Sequence, residues 1–184
     1  MRSLLRALLL GLLPICLLAA CVQVNGRAGG LAPHYARPFV ALPSVTPAPV
    51  PTGYDPRADA PAAVAAAQAA SRKDGRPVLV EFGADWCTDC QVLAQRSVTP
   101  GAWLVLARNY HLVTVDVGHY DRNSALAARW IDLKRSGIPA LVVLEPDGRV
   151  RATTQDGSFA NARALSADAI TSRLVDWLYP ASRS

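Results

Sequence analysis

Two cysteines three residues apart, Cys87 and Cys90, are the side chains best suited to chemistry in this 184-residue chain. The chain holds four cysteines, and the other two, Cys16 and Cys21, lie far upstream at its N-terminal end. A bridge between residues three apart closes almost no loop, so it adds little chain-entropy stabilisation. That spacing points to reactive rather than structural sulfur. A short apolar strand ends just before Cys87 and a helix begins at it. The unpaired amides and positive end of that helix favour a thiolate. Cys87 is therefore the expected nucleophile. Cys90, one turn on along the same side, is placed to attack a mixed disulfide formed on Cys87.

The elements that must position this pair occupy the C-terminal two thirds of the chain. Helices are expected over Ala58–Arg72, Cys87–Ser97, Pro100–Ala107, Ser124–Ile131 and Ser166–Leu178. Strands are expected at Val78–Phe82, His111–Val117, Ala140–Leu144 and Val150–Thr154, the last two joined by the turn Glu145-Pro146-Asp147-Gly148. Crossover helices between the early strands imply parallel neighbours, and the tight turn implies an antiparallel edge. The result is a mixed sheet with helices on both faces.

Upstream, Met1–Arg6 carries Arg2 and Arg6, Ala7–Leu18 is almost wholly apolar, and Ala19 and Ala20 are small. This is the pattern of an export signal, too short for a comfortable membrane span of about 20 residues. Without the two arginines the formal charge falls from +5 to +3. That is too mild to place nucleic acid among the partners. Prolines at 33, 38, 43, 47, 49 and 51 mark a mostly disordered linker from Val22 to about Asp55. Docking of Tyr35, Phe39 and Val40 on the folded part is the alternative. The organisation expected is thus signal 1–20, linker 21–55 and folded domain 56–180.

The run from Val78 to Cys90 reads Val-Leu-Val-Glu-Phe-Gly-Ala-Asp-Trp-Cys-Thr-Asp-Cys, and Gly137-Ile138-Pro139 precedes a later strand. Together these resemble the thioredoxin family over roughly residues 56–179. The resemblance implies an α/β thioredoxin fold, with a central mixed β-sheet of about four strands flanked by helices on both faces. It implies a thiol–disulfide oxidoreductase acting on protein thiols and disulfides, with no cofactor beyond a redox-active Cys87–Cys90 disulfide and no metal. Glu81 matches the family's buried acid, which assists proton removal from the second cysteine, and burial should raise its pKa. Pro139 matches a cis-proline that sets the Ile138 backbone beside the sulfurs, where a substrate strand can pair with it. Trp86 is expected to shield the dithiol and offer an apolar contact surface to substrate.

Thr88 and Asp89, between the sulfurs, are the expected tuners of redox potential. Many thioredoxins carry proline where Asp89 stands. A carboxylate there opposes the Cys87 thiolate, which leans the expectation towards a reductase. Leu18-Ala19-Ala20-Cys21 resembles the lipobox of bacterial lipoproteins. That implies lipidation of Cys21 and a membrane-anchored protein facing the periplasm, with Val22 leaning it towards the outer membrane. A reductase in such a compartment needs a membrane thiol-reducing electron donor. Two other classes stay open: a copper or zinc handling module using the same cysteines and a His, and a tethered interaction domain without catalysis. The loop 116–123, with His119 between Asp116 and Asp121, reads as a turn and helix cap rather than a metal site.

Overall fold

A computed structural model of the chain describes residues 47–179. The expected signal segment, Cys21 and most of the expected linker lie outside these residues. Among the described residues no helix is long and apolar enough to cross a membrane.

The centre of the fold is strand β1, Val78–Gly83, whose six residues are all buried. It pairs in parallel with β2 (His111–Asp116) and antiparallel with β3 (Ala140–Leu144), and β3 carries the antiparallel edge strand β4 (Val150–Thr153). The strand order is β2-β1-β3-β4. Alternation along the strands feeds two cores. Val78, Val80, Phe82, Val113, Val115, Ala140, Val142 and Leu144 meet the helix α1 (Ala60–Asp74) and the residues around Leu126 and Leu133. Leu79, Leu141 and Val143 meet Leu93, Leu106, Tyr110, Ile170 and Leu174 on the other face. These last side chains come from α2 (Thr88–Ser97), α3 (Pro100–Asn109) and its C-terminal boundary, and α6 (Ala167–Leu178). The expected mixed four-stranded sheet between helical layers is what forms.

Local chemistry sets the helix ends. Asp59 caps α1 by accepting from the Ala62 amide, and Gly75 closes it in a left-handed conformation. Ser166 caps α6 through the Ala169 amide.

One expected helix needs correction. The helix foreseen over Ser124–Ile131 is one turn only, α4 (Ser124–Ala127), followed by a separate turn, α5 (Leu133–Ser136). Asp132 starts the second turn, its carboxylate accepting from the Lys134 amide. A 3-10 turn at Ala162–Ala164 was not foreseen.

The packed part also begins ahead of residue 56. Ala48 donates to the Ala107 carbonyl (3.2 Å), the Gly53 carbonyl accepts from Thr114 Oγ1 (3.1 Å), and Tyr54 is buried with 4% exposure. Proline removes amide donors but leaves carbonyls and neighbouring rings free to pack, so a strap can dock without any strand or helix period.

Gly83 provides room for that strap. A β-carbon at position 83 would fall inside contact distance of the Tyr54 ring. Gly83→Ala should lower stability by about 1–3 kcal/mol in urea unfolding. Gly101→Ala, where a β-carbon meets only ordinary contacts with Thr171, should lose nothing measurable.

Candidate functional site: a dithiol at a helix mouth

Cys87 is the N-cap of α2 rather than its first helical residue. Its backbone is extended (φ −77°, ψ 111°), and its Sγ accepts from the Cys90 amide at 3.2 Å. The position is the one a serine or aspartate usually takes to satisfy a free helix amide. A sulfur placed there has a donor waiting whenever it becomes a thiolate. Cys87 and Cys90 are joined as a disulfide with their Cα atoms 5.2 Å apart. Cys87 keeps 6% exposure and Cys90 none, so one sulfur is the approachable member.

The Ile138–Pro139 peptide is cis, and the Ile138 carbonyl oxygen lies 3.7 Å from Cys87 Sγ. The loop before β3 therefore meets the start of α2 at the sulfur. Gly137 precedes it at φ 68°, a conformation that favours glycine. Thr88 is exposed, on the solvent side of the same turn.

Trp86 is half exposed, at 49%, and its ring is fixed from the side. Its Nε1 donates to the Gly118 carbonyl at 2.8 Å. The ring stacks on His119 (centroids 5.0 Å apart, planes 9° apart) and meets Tyr120 edge-on at 6.5 Å. The loop 116–123 thus builds an aromatic wall beside the dithiol. Sequence reasoning left this loop without such a role. The signal present was only its position after a strand, since the stack spans more than thirty residues. The loop's acids hold its own shape: Asp116 accepts from Gly118 N and Arg122 Nη1, and Asp121 accepts from His119 N. Among the described residues no three His, Cys, Asp or Glu side chains gather as a metal site.

Asp89 differs from expectation in its surroundings. Its Oδ1 accepts from the Arg163 amide (3.0 Å) and Arg163 Nε (3.2 Å). The repulsion argument treated Asp89 as an unpaired charge, but Arg163 offsets part of it and ties α2 to the 3-10 turn. Arg96 reinforces the tie by donating to the Ala162 carbonyl at 2.5 Å. Asp89 and Arg163 are 74 residues apart, so no local pattern announces the pair.

Glu81 sits in the middle of β1, between Thr114 and Leu141 on the neighbouring strands. Burial pushes its carboxyl up to about 7, and a hydrogen bond from the Tyr54 hydroxyl to Oε1 opposes that rise. A carboxyl poised there can take and return a proton near neutrality. Tyr54 was missed in the sequence because it fell inside the presumed linker.

The raised pKa carries a stability cost above neutrality. As pH rises from about 4.5 to about 7 the unfolded chain loses this proton first, so folding stability falls across that window and then levels. Glu81→Gln should therefore stabilise the oxidised protein at pH 9, by at most about 3 kcal/mol. The gain should vanish at pH 4, where the carboxyl is protonated in both states. Denaturant unfolding at the two pH values checks this.

The thioredoxin-like family model matches residues 58–146. The crystal structure of a disulphide isomerase from Xylella fastidiosa Temecula1 is similar at 38% identity and a TM-score of 0.66, over 70% of this chain and 98% of that one. A DsbH oxidoreductase matches at 22% identity and a TM-score of 0.49, over 64% and 82%. The reduced C-terminal domain of DsbD from Neisseria meningitidis matches at 24% and 0.42, over 52% and 83%. No curated protein matches the chain. With its Cys87–Cys90 disulfide at the mouth of α2, its cis-proline loop and a 38% identical relative aligned over nearly that relative's whole length, the chain belongs to the thioredoxin-like family.

Proposed function

We propose that this protein is a thiol–disulfide oxidoreductase of the bacterial envelope, anchored by a lipid on Cys21 and working from its dithiol form on protein clients. The observation that carries the reading is Cys87 Sγ at the cap of α2, bonded to Cys90 and beside the Ile138 carbonyl.

The steps follow from that arrangement. The Cys87 thiolate, held by the Cys90 amide, attacks one sulfur of a client disulfide, and the other client sulfur leaves as a thiolate. A mixed disulfide remains on Cys87. Cys90 gives its proton to Glu81 and attacks the Cys87 sulfur. The Cys87–Cys90 bond forms, and the second client sulfur departs. The client has gained two electrons and the protein has lost two. They are restored by a membrane thiol-reducing partner, which an oxidising compartment makes necessary. The client chain lies over Ile138 and Pro139, with Trp86 as its apolar wall and His119 and Tyr120 extending that wall. Thr88 and Asp89 tune the potential, the latter through its bond to Arg163. Neither a cofactor nor nucleic acid takes part.

The direction we assign is client reduction. The Asp89 carboxylate still lies in the first turn of α2 and disfavours extra negative charge nearby, though Arg163 weakens that effect. A second reading, disulfide isomerisation, is favoured by the name of the 38% identical relative. It uses the same dithiol, with the client's own thiol completing the exchange.

In a disulfide-reduction assay with a thiol donor, Cys87→Ser should fall to the uncatalysed background. Cys90→Ser should accumulate a mixed disulfide with client that excess thiol releases. Turnover by the Cys87→Ser variant would rule out this mechanism. Rescue of a scrambled-disulfide substrate without net reduction would favour the isomerase reading.

Cys21→Ser should move the protein from the membrane fraction to the soluble periplasmic fraction. Unchanged membrane association, with no lipid on the native chain by mass spectrometry, would remove the anchor.

A further inference from the structure

The segment ahead of the family-matched residues 58–146 reaches back into the site. Tyr54 Oη donates to Glu81 Oε1 in a buried pair. The tyrosine is fixed on three sides. Its amide donates to Asp85 Oδ1 at 3.0 Å, the preceding carbonyl of Gly53 accepts from Thr114, and its ring fills the space left by the missing side chain of Gly83. Asp85 lies in the turn between β1 and Cys87, and its carbonyl accepts from Gln91 Nε2 of α2 at 2.5 Å. The strap, the acid and the cysteine-bearing turn are thus one bonded assembly.

We propose that Tyr54 is a positioning residue for the second half of the reaction: its hydroxyl holds the Glu81 carboxylate in one orientation and sets the pH at which that carboxylate takes the Cys90 proton. This rests on the reading of Glu81 as the base for Cys90. Burial and the neighbouring carboxylate push the Tyr54 phenol far up, so it keeps its own proton and acts as a donor only. With Oε1 occupied by that donor, Oε2 is the seat of the transferred proton. The balance is simple. The S–H proton of Cys90 goes to Glu81, the Cys90 sulfur bonds to Cys87, the bond from Cys87 to the client sulfur breaks, and the client leaves as a thiolate. Tyr54 neither gains nor loses a proton. A donor to the ionised form favours ionisation, so it offsets part of the effect of burial.

The test uses the full chain with Tyr54→Phe and, as an isosteric second variant, 3-fluorotyrosine at position 54, a stronger donor. The first readout is the titration of the Glu81 carboxyl carbon by NMR, assigned by its loss in Glu81→Gln. The second is the pH profile of client thiol release from a preformed Cys87 mixed disulfide. Tyr54→Phe should raise both midpoints by roughly one to two pH units, as expected for losing a hydrogen bond to a charged group. Release at pH 7 should slow by about fivefold or more and recover in alkali. The fluorinated variant should move both midpoints down. Adding Tyr54→Phe to Glu81→Gln should change the release profile no further.

Native midpoints in both Tyr54 variants, with Glu81→Gln still slowed, would overturn the role of Tyr54 and leave the base in place. A Glu81→Gln profile identical to the native one would overturn the base reading and this proposal with it. If Tyr54→Phe does not fold, the downward shift in the fluorinated chain decides alone.

Discussion

One sulfur at a free amide in the first turn of α2 is the contact on which the rest of the site depends. The Cys90 amide has no carbonyl partner within the helix, and Cys87 Sγ supplies one. The same contact satisfies the helix, aims the sulfur outward and lowers the cost of ionising it. A cap normally stabilises a fold; here the capping atom is also one sulfur of the Cys87–Cys90 disulfide. β1 must end and α2 must start within a few residues, and the turn Ala84–Trp86 makes this possible. The Cys87 amide bonds back to the Ala84 carbonyl at 3.0 Å, and Gln91 bonds to Asp85.

Around this contact the fold sets three walls of different chemistry. The cis-proline loop brings a backbone carbonyl, the loop 116–123 brings stacked aromatic rings, and the 3-10 turn brings Arg163 to Asp89. Two of the walls are the opposite ends of the β2–β3 connection and the third lies between β4 and α6, and each is held by hydrogen bonds or ring contacts rather than by long regular structure. Tyr120 and Asn123 adopt positive φ (68° and 49°), a conformation that costs non-glycine residues energy and persists when surroundings enforce it. The Asn123 side chain bonds to the Asp116 carbonyl, and Ser124 bonds to the Tyr120 carbonyl. Behind the walls, the Glu81 carboxyl inside the sheet accepts a hydrogen bond from the Tyr54 hydroxyl.

Whatever is encoded in short runs was legible in the sequence. The apolar strand into Trp86-Cys87, the helix after it, the Ile138-Pro139 step and the hairpin at Pro146-Asp147-Gly148 all signal through neighbours. Glu81 was legible through its match to the family's buried acid, within a strand of apolar neighbours. Arg163 and Tyr54 were not, since their partners lie 74 and 27 residues away and side-chain pairing leaves no period. Tyr54 was hidden further by composition: prolines on either side of a residue argue against helix and strand, yet say nothing about whether its ring is buried. The break between α4 and α5 was missed for a related reason. Ser124–Ile131 has acceptable helix propensity, but its first turn starts at Asn123, a left-handed residue whose side chain makes no cap bond to the turn, and the next turn begins anew at the Asp132 cap.

The unequal exposure of the two sulfurs has a consequence for survival in an oxidising setting. A small peroxide meets Cys87 first and converts it to a sulfenic acid. The remaining thiol already lies within bonding range and condenses with it to a disulfide before a second oxidant arrives. The damage thus ends as the same Cys87–Cys90 disulfide that turnover forms, which a dithiol donor reduces. Enclosure of Cys90 shields the rescuing thiol from direct attack, so the irreversible sulfinic and sulfonic acids form on Cys87 only if a second oxidant arrives before the condensation.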